Sequence, residues 1–165
     1  NYRSWEALSF YRTPARGPFY PNVKLVKQEQ GDLAHHTNKA IIKNTVWITD
    51  EMGYRNIKFI NNPDILLIGD SYLAGSSLSK NEILNSQMSE KLGDKISVYN
   101  ISPNAFEAFD RFYKDNILKK PKLIVYSIAE RNVPPFFIPS YYYSFHHYLL
   151  YYSNISSLHS FTLFY

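Results

Sequence analysis

Ile65-Leu-Leu-Ile-Gly69-Asp70-Ser71-Tyr-Leu-Ala-Gly75 is an apolar run that ends in a glycine and hands on to a serine. Pro63 and Gly69 bound it, and its four apolar residues do not alternate with polar ones. Such a run reads as a strand buried on both faces, here taken as Asp64–Ile68. The strand delivers Gly69, Asp70 and Ser71 onto its carboxyl end, the edge where open α/β sheets bind ligands. A serine at the entry to a helical turn lies beside backbone N–H groups that favour an oxyanion, as nucleophilic acyl transfer requires. The G-x-S-x-G elbow does not fit, because Leu73 stands where its second glycine belongs. The plain alternative is a turn serine that caps a helix.

Downstream the alternation repeats. Ser79 with Glu82 reads as a capping box, followed by Leu84, Met88 and Leu92 at four-residue spacing and by Gly93 as a stop. Ile96–Ile101 predicts a second strand. Asn104 with Glu107 predicts the start of a helix carrying Phe106, Phe109, Phe112 and Tyr113, which ends before Pro121. Leu123–Ile128 predicts a third strand. This order implies right-handed crossovers and an α/β fold with three α/β/α layers around a mostly parallel sheet.

Upstream, Pro14, Pro18 and Pro21 predict an extended or looped start. Thr45–Thr49 reads as a strand and Asp50–Gly53 as a turn. Residues 1–60 thus form an irregular lead-in with one short strand, and residues 61–134 form the α/β core. Residues 135–165 form a tyrosine-rich tail, since no Asp, Glu, Lys or Arg occurs from Asn132 to Tyr165. A surface without charge has to pack on something. It lies on the domain, meets a membrane interface where tyrosine is favoured, or begins a larger module that this chain cuts short. The last is the preferred expectation, and contact with a membrane or a larger assembly through the tail comes next.

The 165 residues are 45% apolar, enough for one domain with a real core. Aromatic residues at 17% exclude disorder for most of the chain. The absence of cysteine excludes disulfides and thiolate zinc sites. A net charge of +4, with no arginine-rich or basic-aromatic motif, does not argue for a nucleic-acid partner. No stretch is apolar for long enough to predict a membrane span. Asn1 in place of methionine predicts a processed form or a fragment.

Taken together, three blocks resemble the SGNH (GDSL-like) hydrolase superfamily. The first is Gly69-Asp70-Ser71 after its strand, with Gly75 following. The second is Val98-Tyr99-Asn100-Ile101-Ser102-Pro103-Asn104, where the family has its second strand and oxyanion loop. The third is Ile124-Val125-Tyr126-Ser127-Ile128-Ala129-Glu130-Arg131-Asn132, whose Glu-Arg pair resembles SGNH-type polysaccharide O-acetyltransferases. Trp47-Ile-Thr-Asp50-Glu-Met-Gly53-Tyr54-Arg55 is similar to the lead-in of bacterial SGNH proteins that modify envelope polymers. The resemblance implies a flavodoxin-like fold, incomplete at its C-terminus. It also implies Ser71 as nucleophile and oxyanion or substrate contacts from Ser102, Asn104 and Asn132, with Gly69 and Asp70 structural at the site.

The family's Asp-x-x-His near the C-terminus is missing, as no acidic residue follows Glu130. Either the base lies beyond Tyr165, the preferred expectation, or an upstream pair supplies it. Asp32-Leu-Ala-His35-His36 is the candidate, with His36 as base and Asp32 orienting it. The expected activity is that of a serine esterase or O-acyltransferase on acetyl esters of a cell-envelope polysaccharide, needing no cofactor or metal. Its partner would be an acyl ester or glycan substrate. A catalytically incomplete glycan-binding or assembly component is the alternative. A nucleotide-binding doubly wound domain is disfavoured, because Gly69 and Gly75 do not form a phosphate loop.

Overall fold

The computed structural model describes residues 3–10, 17–31, 37, 39, 41–104, 106–127, 148–151 and 161–164. Helices and strands are mixed along the chain. A short helix α1 (Ser4–Leu8) precedes strands β1 (Lys24–Gln30) and β2 (Ile42–Ile48), which pair antiparallel as a separate two-stranded sheet. Then come β3 (Ile65–Ile68), helices α2 (Ser71–Ala74) and α3 (Leu84–Leu92), β4 (Val98–Asn100), helix α4 (Phe106–Lys114) and β5 (Leu123–Tyr126). Strands β6 (Tyr148–Tyr151) and β7 (Phe161–Phe164) complete the second sheet, in the order β4-β3-β5-β6-β7.

The expected strand–helix–strand alternation is present, and β3 runs parallel to both β4 and β5. The sheet is not parallel throughout: β6 pairs antiparallel with β5, and β7 antiparallel with β6. The sheet is therefore mixed, with three parallel strands at one side. Within the uncharged tail, β6 and β7 extend this sheet, while residues 135–147 and 152–160 lie outside the described structure.

β3 sorts its side chains between two clusters, as a strand with period two must. Leu66 and Ile68 pack with Tyr54, Tyr99, Ile101, Phe112 and Leu118, the Phe112 coming from α4. Ile65 and Leu67 face the opposite way, against Leu73 of α2 and Met88 of α3. Helices therefore cover both faces of β3, which explains why its sequence is continuously apolar.

Two expectations are corrected. Ser79 does not open α3, which begins at Leu84 after an extended Ile83. Half of the expected capping box exists as a turn, since the Ser79 N–H donates to Glu82 Oε2 at 2.6 Å. The Ser79 hydroxyl instead accepts the Val46 N–H at 2.9 Å, and the Lys80 N–H donates to the Val46 carbonyl at 2.8 Å. The residues read as a cap are thus spent on the edge of β2. On α3 itself, Leu84 and Leu92 are exposed and Asn85 is buried.

The lead-in is also more regular than expected. β1 carries Lys27 and Glu29 on the same face as Leu25, while Val26 is 62% exposed. The buried Glu29 carboxylate accepts the Ser4 N–H at 2.6 Å and the Ser4 hydroxyl at 3.0 Å. Trp5, Phe19 and Trp47 meet edge-on beside Leu8, giving this sheet its own small core.

Candidate functional site

Ser71 is the first residue of α2, directly past the carboxyl end of β3, the strand between β4 and β5. Asp70 is the N-cap: its Oδ1 accepts the Tyr72 N–H at 2.9 Å, a structural role around the turn. Ser71 is half-buried, and its hydroxyl has no hydrogen-bond partner among the described residues. Gly75 ends the turn in the left-handed region at φ 71°, where a side chain would strain the backbone.

The ends of the two neighbouring strands flank this turn. On the β4 side, the Asn104 N–H donates to the Gly69 carbonyl at 2.7 Å. On the β5 side, the Ser127 N–H donates to the Ile68 carbonyl at 2.8 Å. Gly69 is required by this second approach, since a Cβ there would lie 2.7 Å from the Ser127 carbonyl oxygen. Gly69, Ser71, Asn104 and Ser127 therefore share one sheet rim.

Of the two loop residues expected to face an oxyanion, Asn104 is fully engaged and Ser102 is engaged through its N–H alone. Asn104 Nδ2 donates to the Tyr54 hydroxyl at 2.6 Å and to the Ile101 carbonyl at 2.8 Å, which uses both of its hydrogens. Ser102 is buried; its N–H donates to Asn100 Oδ1 at 2.8 Å, and its hydroxyl has no partner among the described residues. Asn132, Asp32 and His36 lie outside the described residues, as do all five histidines. Where a proton acceptor would stand is thus not part of the described structure.

Beneath the rim lies a polar scaffold that sequence reading did not assemble. Asp50 is buried, and its Oδ1 accepts the Met52 and Tyr54 N–H groups. Its Oδ2 accepts Asn56 Nδ2 at 2.9 Å and the Tyr99 hydroxyl at 2.8 Å. Burial pushes the Asp50 carboxyl above its ordinary range, although these donors pull the other way. Burial likewise raises the Tyr99 and Tyr54 phenols, with the Asp50 charge adding to both. The buried Asn100 ties the loop to the helix, donating from Nδ2 to the Leu73 carbonyl at 3.1 Å.

Arg55 fixes the other end of the α2 turn. Its guanidinium donates to the carbonyls of Ala74 at 3.0 Å, Gly75, and Leu78 at 2.9 Å. It also lies 3.7 Å above the Trp47 ring, a stacked contact that ties the α2 turn to β2 through Arg55. Burial pulls its pKa down to about 9, partly offset by Glu29 and Glu82. The signal for this scaffold in the sequence is weak: polar residues such as Asp50, Asn56 and Asn100 at the ends of apolar runs.

Among the described residues, no group of three or more His, Asp or Glu gathers as a metal site, and no helix is long and apolar enough to cross a membrane. No protein-family model matches the chain, and no curated protein or solved structure matches it either.

Proposed function

We propose that this chain is an SGNH-type serine esterase or O-acyltransferase domain, acting on acetyl esters of a cell-envelope polysaccharide. The observation that carries the reading is the position of Ser71: at the carboxyl end of a strand flanked by two parallel neighbours, half-exposed, with an unengaged hydroxyl. Helices on both faces of β3 suit the three-layer, flavodoxin-like arrangement of that superfamily.

In this mechanism the Ser71 hydroxyl attacks the ester carbonyl while a base takes its proton, and the tetrahedral adduct collapses with the alcohol leaving with that proton, so that an acyl-enzyme remains. Water then gives hydrolysis, whereas a sugar hydroxyl gives transfer. The Ser71 N–H is a candidate donor for the developing oxyanion, since it has no backbone partner among the described residues.

The test is labelling with a fluorophosphonate probe, read by intact mass. Labelling that is lost in Ser71→Ala supports the reading, and slowing in His36→Ala assigns the base to the upstream pair. A full-length gene product that stays unlabelled counts against it. A second reading, a non-catalytic glycan-binding component, draws on Asn104, whose amide hydrogens are both spent within the fold. Glycan binding without labelling would favour it.

A further inference from the structure

A groove of about 590 Å³ lies away from Ser71, between α3, the outer edge of β4 and the 55–60 segment. Its size falls in the ~300–1,000 Å³ range of pockets that enclose ligands. Three features of its lining point to one kind of occupant.

The first is an open strand edge. The Ile65 N–H bonds to the Ser97 carbonyl, and the Ile101 N–H bonds to the Leu67 carbonyl. With Ile65 opposite Val98 in a parallel pair, residues 98 and 100 must turn their own N–H and C=O away from β3. At residue 100 the Asn56 side chain takes both groups. At residue 98 they have no backbone partner among the described residues, and Val98, only 6% exposed, forms part of the groove wall. One donor and one acceptor on the edge of β4 are therefore unpaired at the floor of the groove, where an inserted strand would reach them.

The second is a buried acceptor on the facing helix. Asn85 is 6% exposed and also lines the groove. Its Nδ2 is spent on Arg55 and Asn56, while its Oδ1 has no partner.

The third is composition. Ile57, Ile60 and Ile96 supply aliphatic lining, and Ile57 is 68% exposed. Among the described lining residues there is no aromatic ring to stack on a base or a sugar. Among the same described lining residues, Lys58 and Lys80 stand against the single acid Glu90, so the rim they form is basic.

We propose that this groove is a docking site for an extended acidic and aliphatic peptide segment of a partner protein. The segment adds beside β4 through the Val98 N–H and C=O, places an aliphatic side chain among Ile57, Ile60 and Ile96, and sets its carboxylates against Lys58 and Lys80. The charge of the rim selects an acidic occupant. This surface does not involve Ser71, so its fate is separate from that of the esterase reading.

Binding of fluorescein-Gly-Val-Asp-Ile-Glu-Val-amide to the 165-residue chain, followed by anisotropy, tests the proposal. Saturable binding is expected, with a shifted Val98 amide resonance. About tenfold or greater weakening is expected when the peptide's Asp and Glu become Lys, when its central amides are N-methylated, and when the exposed Lys58 is changed to Glu. Ser89→Trp, which fills the groove, abolishes binding, while Ser71→Ala leaves it unchanged. Absence of saturable binding, or binding indifferent to peptide charge and to Lys58→Glu, overturns the proposal. A dimer that Lys58→Glu dissociates, with no peptide bound, makes a second copy the occupant and also overturns it.

Discussion

Asn56 closes the outer edge of β4 by treating Asn100 as a strand neighbour would. Its Nδ2 donates to the Asn100 carbonyl at 2.9 Å, and its Oδ1 accepts the Asn100 N–H at 3.0 Å. The same amide also donates to Asp50 and accepts from Asn85, so one side chain satisfies four buried groups. Asn56→Ala orphans the Asn100 N–H and carbonyl and takes one of two partners each from Asp50 Oδ2 and Asn85 Nδ2, and a loss of about 3 kcal/mol or more is expected in urea unfolding. Asn56→Asp is expected to be worse, because it sets a second carboxylate against the buried Asp50.

Arg55 is not exchangeable with lysine. Three carbonyls and a Trp47 face match a planar fork, and an ammonium cannot fill that arrangement. Arg55→Lys is expected to cost about 2–4 kcal/mol in chemical denaturation. It should also slow fluorophosphonate labelling, because the turn carrying Ser71 loses its anchor. Unchanged stability in this variant would contradict the assigned role.

Gly69→Ala forces a Cβ to within 2.7 Å of the Ser127 carbonyl oxygen, a backbone atom that cannot swing aside. The strands must part at the rim, at an expected cost of about 1–3 kcal/mol by thermal melt. Ser71→Ala, by contrast, removes a hydroxyl without a described partner. It is expected to change stability by no more than about 0.5 kcal/mol while removing all labelling.

Tyr54→Phe tests the link between the scaffold and the loop. It removes the acceptor of one Asn104 hydrogen, and the expected cost is about 1–2 kcal/mol. In a double-mutant cycle with Asn104→Ala the two changes should be clearly non-additive. Additive losses would mean that the 2.6 Å contact carries no coupling.

Acid sensitivity should centre on Asp64. Lys122 lowers its carboxyl well below the usual range, with the Ser97 N–H and hydroxyl adding to the effect. A carboxyl with a folded-state pKa below its unfolded value stabilises the fold above about pH 4 and loses that contribution as the pH falls further. Asp64→Asn is therefore expected to lower stability at neutral pH. The wild-type and variant curves should converge at strongly acidic pH. Curves that stay parallel in pH-dependent unfolding would rule this out.

The elements legible in the sequence were those whose residues answer to a single face or to burial on both. β3, β4 and β5 were readable from apolar runs, and α4 from Phe109 and Phe112. β1 was not, because its inward face holds Lys27 and Glu29, and the burial of Glu29 is explained only by Ser4, far away in sequence. Ser79 and Glu82 satisfied a local capping rule, yet Val46 won the serine hydroxyl through a long-range bond. At the site, Ser71 and Gly69 were readable from the strand that delivers them. The engagement of Asn104 by Tyr54 was not, since it joins segments that no periodicity connects.

The stacking of Arg55 on Trp47 has a consequence for dissecting the chain. A fragment starting at residue 61 would lose the guanidinium, its indole shelf, and the carboxylate and amide that satisfy Tyr99 and Asn100. Such a fragment would keep its apolar strands but leave polar atoms stranded in its interior. It is expected to behave as a loosely ordered, dye-binding species and not as a miniature of the parent.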